Sequence, residues 1–243
     1  MKESVKITNR LFVATCGLGS WQNRLAHVRQ WRRGFSAYEA AVSWEGASNT
    51  TSGLPMPIAK MFRESKFGET ELLFAIAEHR VPLAGVGHDS QCDVWAVLNT
   101  NAGAVSLSVE AKARESFGNG NETLSEWLKT KPKNRAIRWN YIREHLPSNG
   151  KDGYLAVPYQ LLHRCAAAII EAKRLRLQHA AFVVQAFDPR AESFGEFSRM
   201  CNELGVTAER GRMQFAKVGD VHLGIGWADC PLATDREVDA ADC

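Results

Sequence analysis

The stretch Ala104-Val105-Ser106-Leu107-Ser108-Val109-Glu110-Ala111-Lys112 alternates apolar and polar residues to its end. A period of two belongs to a β-strand, where successive side chains leave opposite faces of a pleated backbone. Val105, Leu107 and Val109 then share one face, and Ser106, Ser108, Glu110 and Lys112 the other. Glu110 and Lys112 point the same way, about 6.5–7 Å apart along the strand. Asp93 heads a second apolar stretch, Asp93–Asn99, 17 residues before Glu110. The five residues Asn99–Gly103 between the two stretches read as a hairpin turn.

The other expected elements are read from periodicity and capping. Trp21–Arg33 is spaced for a helix, and Lys6–Cys16 fits a strand or loop. Ser36 reads as the N-cap of a helix over Ala37–Glu45, with Glu39 closing a capping box. Ile58–Arg63 reads as a short helix. Leu72, Leu73, Ile76 and Ala77 give Thr70–Glu78 an apolar helical face. Val81–Val86 reads as a short strand, placed at an edge by Pro82. Helices follow over 122–130, 134–146, Tyr159–Arg174 and Glu192–Leu204, with a strand over Ala180–Phe187 between the last two. Met213–Lys217 and Val221–Trp227 read as a terminal hairpin. The mix of helices and strands gives an α/β fold class. It is expected as a single domain over residues 1–228 with an N-terminal helical extension. The acidic segment 229–243 is expected to be a disordered tail.

Composition narrows the function classes. At 45% hydrophobic and 23% charged residues the chain has the balance of a globular protein. No apolar run reaches membrane-spanning length, and the first residues lack a signal-peptide core, so a cytoplasmic location without membrane attachment is expected. The six cysteines form no Cys-x-x-Cys pair, which argues for reduced, buried thiols rather than a zinc site. Net charge is only +3, but residues 111–178 carry 13 basic and 6 acidic side chains, and residues 179–243 carry 6 and 11. A basic middle segment directly after the Glu110 strand suits a polyanion; a solvated helix surface would look the same.

A carboxylate and a lysine on one strand end, with an aspartate from its neighbour, can hold a divalent cation beside an ammonium group. That is chemistry suited to phosphodiester hydrolysis. The order helix–strand–strand–strand–helices–strand–helix places Glu78, Asp93, Glu110 and Lys112 around the first three strands. Asp93, the triplet Glu110-Ala111-Lys112 and a helix ending at Glu78 resemble the PD-(D/E)XK nuclease superfamily. Trp31–Glu39, Glu78–Leu83, Val109–Lys112 and Tyr159–Arg164 resemble an uncharacterised bacterial family within it, over roughly residues 20–205. The chain departs from the usual Pro-Asp pair, since Cys92 precedes Asp93.

The resemblance implies a restriction-endonuclease-like core, a central mixed sheet flanked by helices, and a metal-dependent nuclease, specifically a DNA endonuclease of defence or repair. Asp93 and Glu110 would bind Mg²⁺ or Mn²⁺, and Glu78 would add a ligand or hold a metal water. Lys112, its head group expected in a solvated cleft, would orient or deprotonate the attacking water. Gln160 and Arg164, at i and i+4 on one helix face, would contact the substrate, Arg164 gripping a phosphate. Asp89 reads as a turn residue and His163 as a packed or surface histidine. The implied partner is nucleic acid, DNA before RNA, with a homodimer left open. Each residue also has a plain reading: Asp93 as a strand-start turn residue, Glu110 and Lys112 as an exposed ion pair, Glu78 as a solvated helix end. The alternative is a catalytically inactive nucleic-acid-binding or protein-interaction module on the same fold.

Overall fold

The alternating stretch is a strand, β3 (Gly103–Lys112), joined by the expected hairpin to β2 (Ser90–Thr100), with Thr100 paired to Gly103. The computed structural model describes residues 17–25, 31–48, 50–118, 120, 122–147 and 153–241. Within them β1 (Thr70–Val81), β4 (His179–Phe187), β5 (Met213–Val218) and β6 (Val221–Cys230) complete a six-stranded mixed sheet of order β1-β2-β3-β4-β6-β5. β1, β2 and β3 run antiparallel in turn; β4 is parallel to β3 and to β6, and β5 closes the far edge antiparallel to β6.

Segment 70–81 corrects the expected helix. It pairs with β2 from Thr70↔Thr100 to Val81↔Ser90. The ladder shifts register between Leu72 and Phe74, leaving Leu73 bulged and 55% exposed. That extra residue breaks the two-residue alternation and counterfeits a helical stripe. Cross-strand hydrogen bonding then overrides the helix propensity of Leu, Ala and Glu. Of the short strand expected over Val81–Val86, only Val81 is in the sheet.

Both faces of the sheet are covered. Helix α6 (Tyr159–Arg174) crosses one face with α5 (Pro132–Arg143) and α7 (Ser193–Glu203), enclosing Trp95, Phe182, Val184 and Trp227. Helices α1 (Gly17–Gln22), α2 (Ser36–Ala47) and α3 (Met56–Arg63) cover the other, against Val94, Val105, Leu107, Val109 and Val183. Helix α4 (Leu124–Lys129) begins in a capping box between Thr123 and Glu126. The polar face of β3 is therefore buried under α6. Trp95 Nε1 donates to Ser106 Oγ at 3.0 Å, and Ser108 Oγ donates to Cys92 Sγ at 3.1 Å. Gly224 lets α3 and its following loop approach β6: a Cβ there would lie 2.7 Å from Phe67 and from Met213.

Three further expectations are revised. Residues 229–241 of the acidic tail are structured: β6 runs to Cys230, and α8 (Asp235–Ala241) packs on α2, burying Ala241. Thr234 and Glu237 cap α8 reciprocally, and Arg33 pairs with Asp235. The pattern Thr-x-x-Glu was legible in the sequence but masked by the run of acids. At α2 the boundary residue is Phe35, and no capping box forms. Glu39 is instead buried and accepts the amides of Gly34 and Ala233, each at 2.7 Å. The helix expected over Trp21–Arg33 ends at Gln22; residues 26–30 and Lys6–Cys16 lie outside the described residues. Cys92, Cys165, Cys201 and Cys230 are buried and unpaired, and no described helix is long and apolar enough to cross a membrane.

Candidate functional site

The β2–β3 ladder stops at Val94↔Val109, although β2 continues to Ser90 and β3 to Lys112. Past that point β2 pairs only with β1 and β3 only with β4. Where the strands part, a side chain replaces the backbone bond: Asp93 Oδ2 accepts the Ala111 amide at 2.6 Å. Arg164, from α6, bridges the opening. Its Nε donates to Glu110 Oε2 at 2.7 Å and its Nη1 to Ser90 Oγ at 3.2 Å. Lys112 Nζ lies 2.8 Å from Glu110 Oε1 and 5.5 Å from the Phe117 ring centroid.

Glu78 enters from β1. It falls between the pairs Ala77↔Val94 and His79↔Cys92, opposite Asp93. Its backbone has φ +56°, in the left-handed region that costs a non-glycine residue about 1–3 kcal/mol. The turn of backbone moves the chain's packing from the α2 face at Ala77 to the α6 face at His79, which stacks on Trp95 at 4.7 Å. Gln91 Nε2 donates to Glu78 Oε2 at 2.6 Å.

Three carboxyl groups and two cations thus share a mostly enclosed volume, one more acid than base. Burial, reinforced by Glu110 and Glu78, pushes the Asp93 carboxyl well above its usual range. Burial likewise raises Glu78 to about 7, against the opposing pull of Gln91 and Arg164. Glu110 behaves in the opposite sense: burial would raise it, but Lys112 and Arg164 together hold it below the ordinary carboxylate range. Those partners keep both cations firmly charged despite burial. Burial, with Arg164, Arg138 and Lys112 nearby, depresses His163, so its imidazole is neutral. Its Nδ1 lies 2.8 Å from Ser90 Oγ.

The structure brings Glu78, Asp93, Glu110, Lys112 and Arg164 together. Glu78 comes from a strand rather than a helix end, and Lys112 is buried rather than in a solvated cleft. Gln160 shares the α6 face but does not join the hydrogen-bonded cluster. Its Oε1 is buried without a partner among the described residues, and its Cβ faces Gly118. Ser90 and Gln91 belong to the cluster and carry no expectation from the sequence, and His163, expected to be packed or at the surface, is packed against Ser90. Reading 70–78 as a helix concealed the β1–β2 pairing that sets Gln91 beside Glu78. His163 was legible only as the neighbour of Arg164.

Carboxylate oxygens with a surplus negative charge are the donors a hard divalent cation takes. As arranged, however, no three His, Cys, Asp or Glu side chains among the described residues are placed to hold one ion. Glu110 has given one oxygen to each cation, and Asp93 has given Oδ2 to Ala111. A cation between Asp93 and Glu110 would have to draw a Glu110 oxygen away from Lys112 or Arg164.

No curated protein and no solved structure matches the chain. A family model described as Domain of unknown function (DUF6946) matches residues 14–231, and the chain belongs to that family.

Proposed function

We propose that the chain is a metal-dependent phosphodiesterase acting on nucleic acid, a DNA endonuclease, with its reaction centre at the parting of β2 and β3. The observation that carries this reading is the convergence of Glu78, Asp93 and Glu110 with Lys112 and Arg164 at a strained, enclosed strand end. Buried carboxylates with raised pKa values beside fixed cations are a common mark of reaction sites. The order of helices, three antiparallel strands, crossover helix and parallel strand agrees with a restriction-endonuclease-like core. Asp93 and Glu110 would hold Mg²⁺ or Mn²⁺, which would supply Lewis-acid polarisation of a phosphate oxygen. Lys112, released from Glu110, orients the attacking water and offsets negative charge on the phosphate. Arg164 presents a planar fork to a second phosphate oxygen, and Glu78, near half-protonated at neutral pH, accepts or returns a proton at the water.

The test is cleavage of a mixed panel of DNA and RNA with Mg²⁺ or Mn²⁺, comparing the wild type with a folded Glu110→Gln variant. Metal-dependent cleavage lost in the variant supports the reading; equal cleavage by both, or none by the wild type, refutes it.

One observation favours the alternative of an inactive module. Both Glu110 oxygens are engaged and Lys112 is only 5% exposed, so the cluster is closed as it stands. Under that reading the ion pairs fix the strand geometry, and divalent cations leave the protein's stability unchanged.

A further inference from the structure

Several exposed arginines among the described residues are neutralised by nearby carboxylates. Arg114 pairs with Asp188, Arg199 with Glu196, Arg210 with Asp229 and Arg212 with Glu64. The α4–α5 hairpin differs. Residues 129–143 carry six cations, Lys129, Lys131, Lys133, Arg135, Arg138 and Arg143, and no carboxylate. Lys131, Lys133 and Arg143 are exposed, and none is in an ion pair with a described residue. Lys129 is exposed beside Glu126, whose carboxylate is engaged by the amide and hydroxyl of Thr123.

The other two cations fasten the hairpin. Arg135 lies 4.7 Å from the Trp127 ring centroid and donates to the Trp127 carbonyl. Trp127 stacks on Tyr159 at 3.7 Å, four residues before His163 on α6. Arg138 is buried and donates to the carbonyls of His88 and Gly85. Those carbonyls belong to the loop joining β1 to β2, the strands that carry Glu78 and Asp93. A Cβ on Gly85 would meet the Asn134 carbonyl at 3.3 Å, so the loop lies directly against α5. The unpaired charges are therefore held at the site end of the sheet.

We infer that the α4–α5 turn and the outer face of α5 form a docking surface for the phosphate backbone of nucleic acid. Lys131 and Lys133 engage one part of the strand, and Arg143, about 15 Å along the helix from Lys133, engages another. The inference deepens the phosphodiesterase reading and rests on it for the choice of nucleic acid. A protein partner would need an apolar centre, and Ile137 is the one large apolar side chain of α5 that is exposed. Regularly spaced phosphates need only cations in a row, and their neutralisation releases counterions.

The experiment uses the full chain without divalent cations, so that binding is read apart from cleavage. Fluorescence anisotropy follows a labelled mixed-sequence DNA duplex across a salt series, for the wild type and for the triple variant Lys131→Glu, Lys133→Glu, Arg143→Glu. The substituted side chains are exposed, so thermal melting is expected to match the wild type. The triple variant is expected to bind at least ~10-fold more weakly at low salt, with a log–log salt slope shallower by about 3. Unchanged affinity and slope, absence of DNA binding by the wild type, or equal affinity for polyglutamate overturns the inference. A wild type that binds DNA through the hairpin yet cleaves nothing with any divalent cation refutes the reaction and leaves the surface standing.

Discussion

Glu78→Gln offers a test of the site that needs no substrate. The Glu78 carboxyl titrates near 7 in the folded protein, against a usual value of 4.5. The folded state therefore binds a proton that the unfolded chain releases between those values. Each pH unit of such a difference is worth about 1.4 kcal/mol, so the linkage amounts to about 3 kcal/mol. Its sign follows from the raised folded value: the contribution is full below pH 4.5 and lost as pH rises through 7. Glutamine keeps the shape and carries no titrating proton. Urea unfolding of both proteins at pH 5 and pH 8 isolates the term, because the other groups titrate in both. Glu110 and His163, both lowered, largely cancel in the comparison, and Asp93, relieved of the Glu78 charge in the variant, shifts in the same sense as the expected difference. Relative to wild type, the variant is expected to gain about 2–3 kcal/mol between pH 5 and pH 8. A difference that does not change with pH would refute the burial of Glu78 among Asp93 and Glu110. Added Mg²⁺ should flatten the wild-type dependence if Asp93 and Glu110 bind it, since a cation favours the ionised carboxyl.

Other consequences follow from the same geometry. Lys112→Ala breaks a buried pair and should destabilise by about 3–5 kcal/mol in urea unfolding; a loss under about 1 kcal/mol would place Lys112 in solvent. At the left-handed φ of Glu78, glycine should be more stable than alanine by about 1 kcal/mol; the reverse order in thermal melts would deny that backbone conformation. Trp44 Nε1 donates to the fully buried Gln185 Oε1 at 3.0 Å. Trp44→Phe should therefore cost about 1–3 kcal/mol for the stranded acceptor, and an unfolding midpoint equal to wild type would contradict the contact.

Local pattern determined the elements whose signal is local. The alternation of 104–112, the turn after Thr100 and the long apolar stripe of Tyr159–Arg174 became β3, its hairpin and α6 with little change. Asp93 beside Glu110 followed from them, because a hairpin sets the opposite partners. What the sequence could not determine was whatever depends on a distant partner. A strand with one bulged residue looks helical until its neighbour is known, and so Thr70–Glu78 reads as a helix. The polar face of β3 reads as solvated, and only the crossing of α6 makes Ser106, Ser108, Glu110 and Lys112 interior. An acidic tail reads as disordered until Arg33 and the face of α2 meet it. The raised Glu78 and lowered Glu110 carboxyls carry the same lesson. Each side chain is an ordinary acid, and its charge state is decided by burial and by cations delivered from other elements.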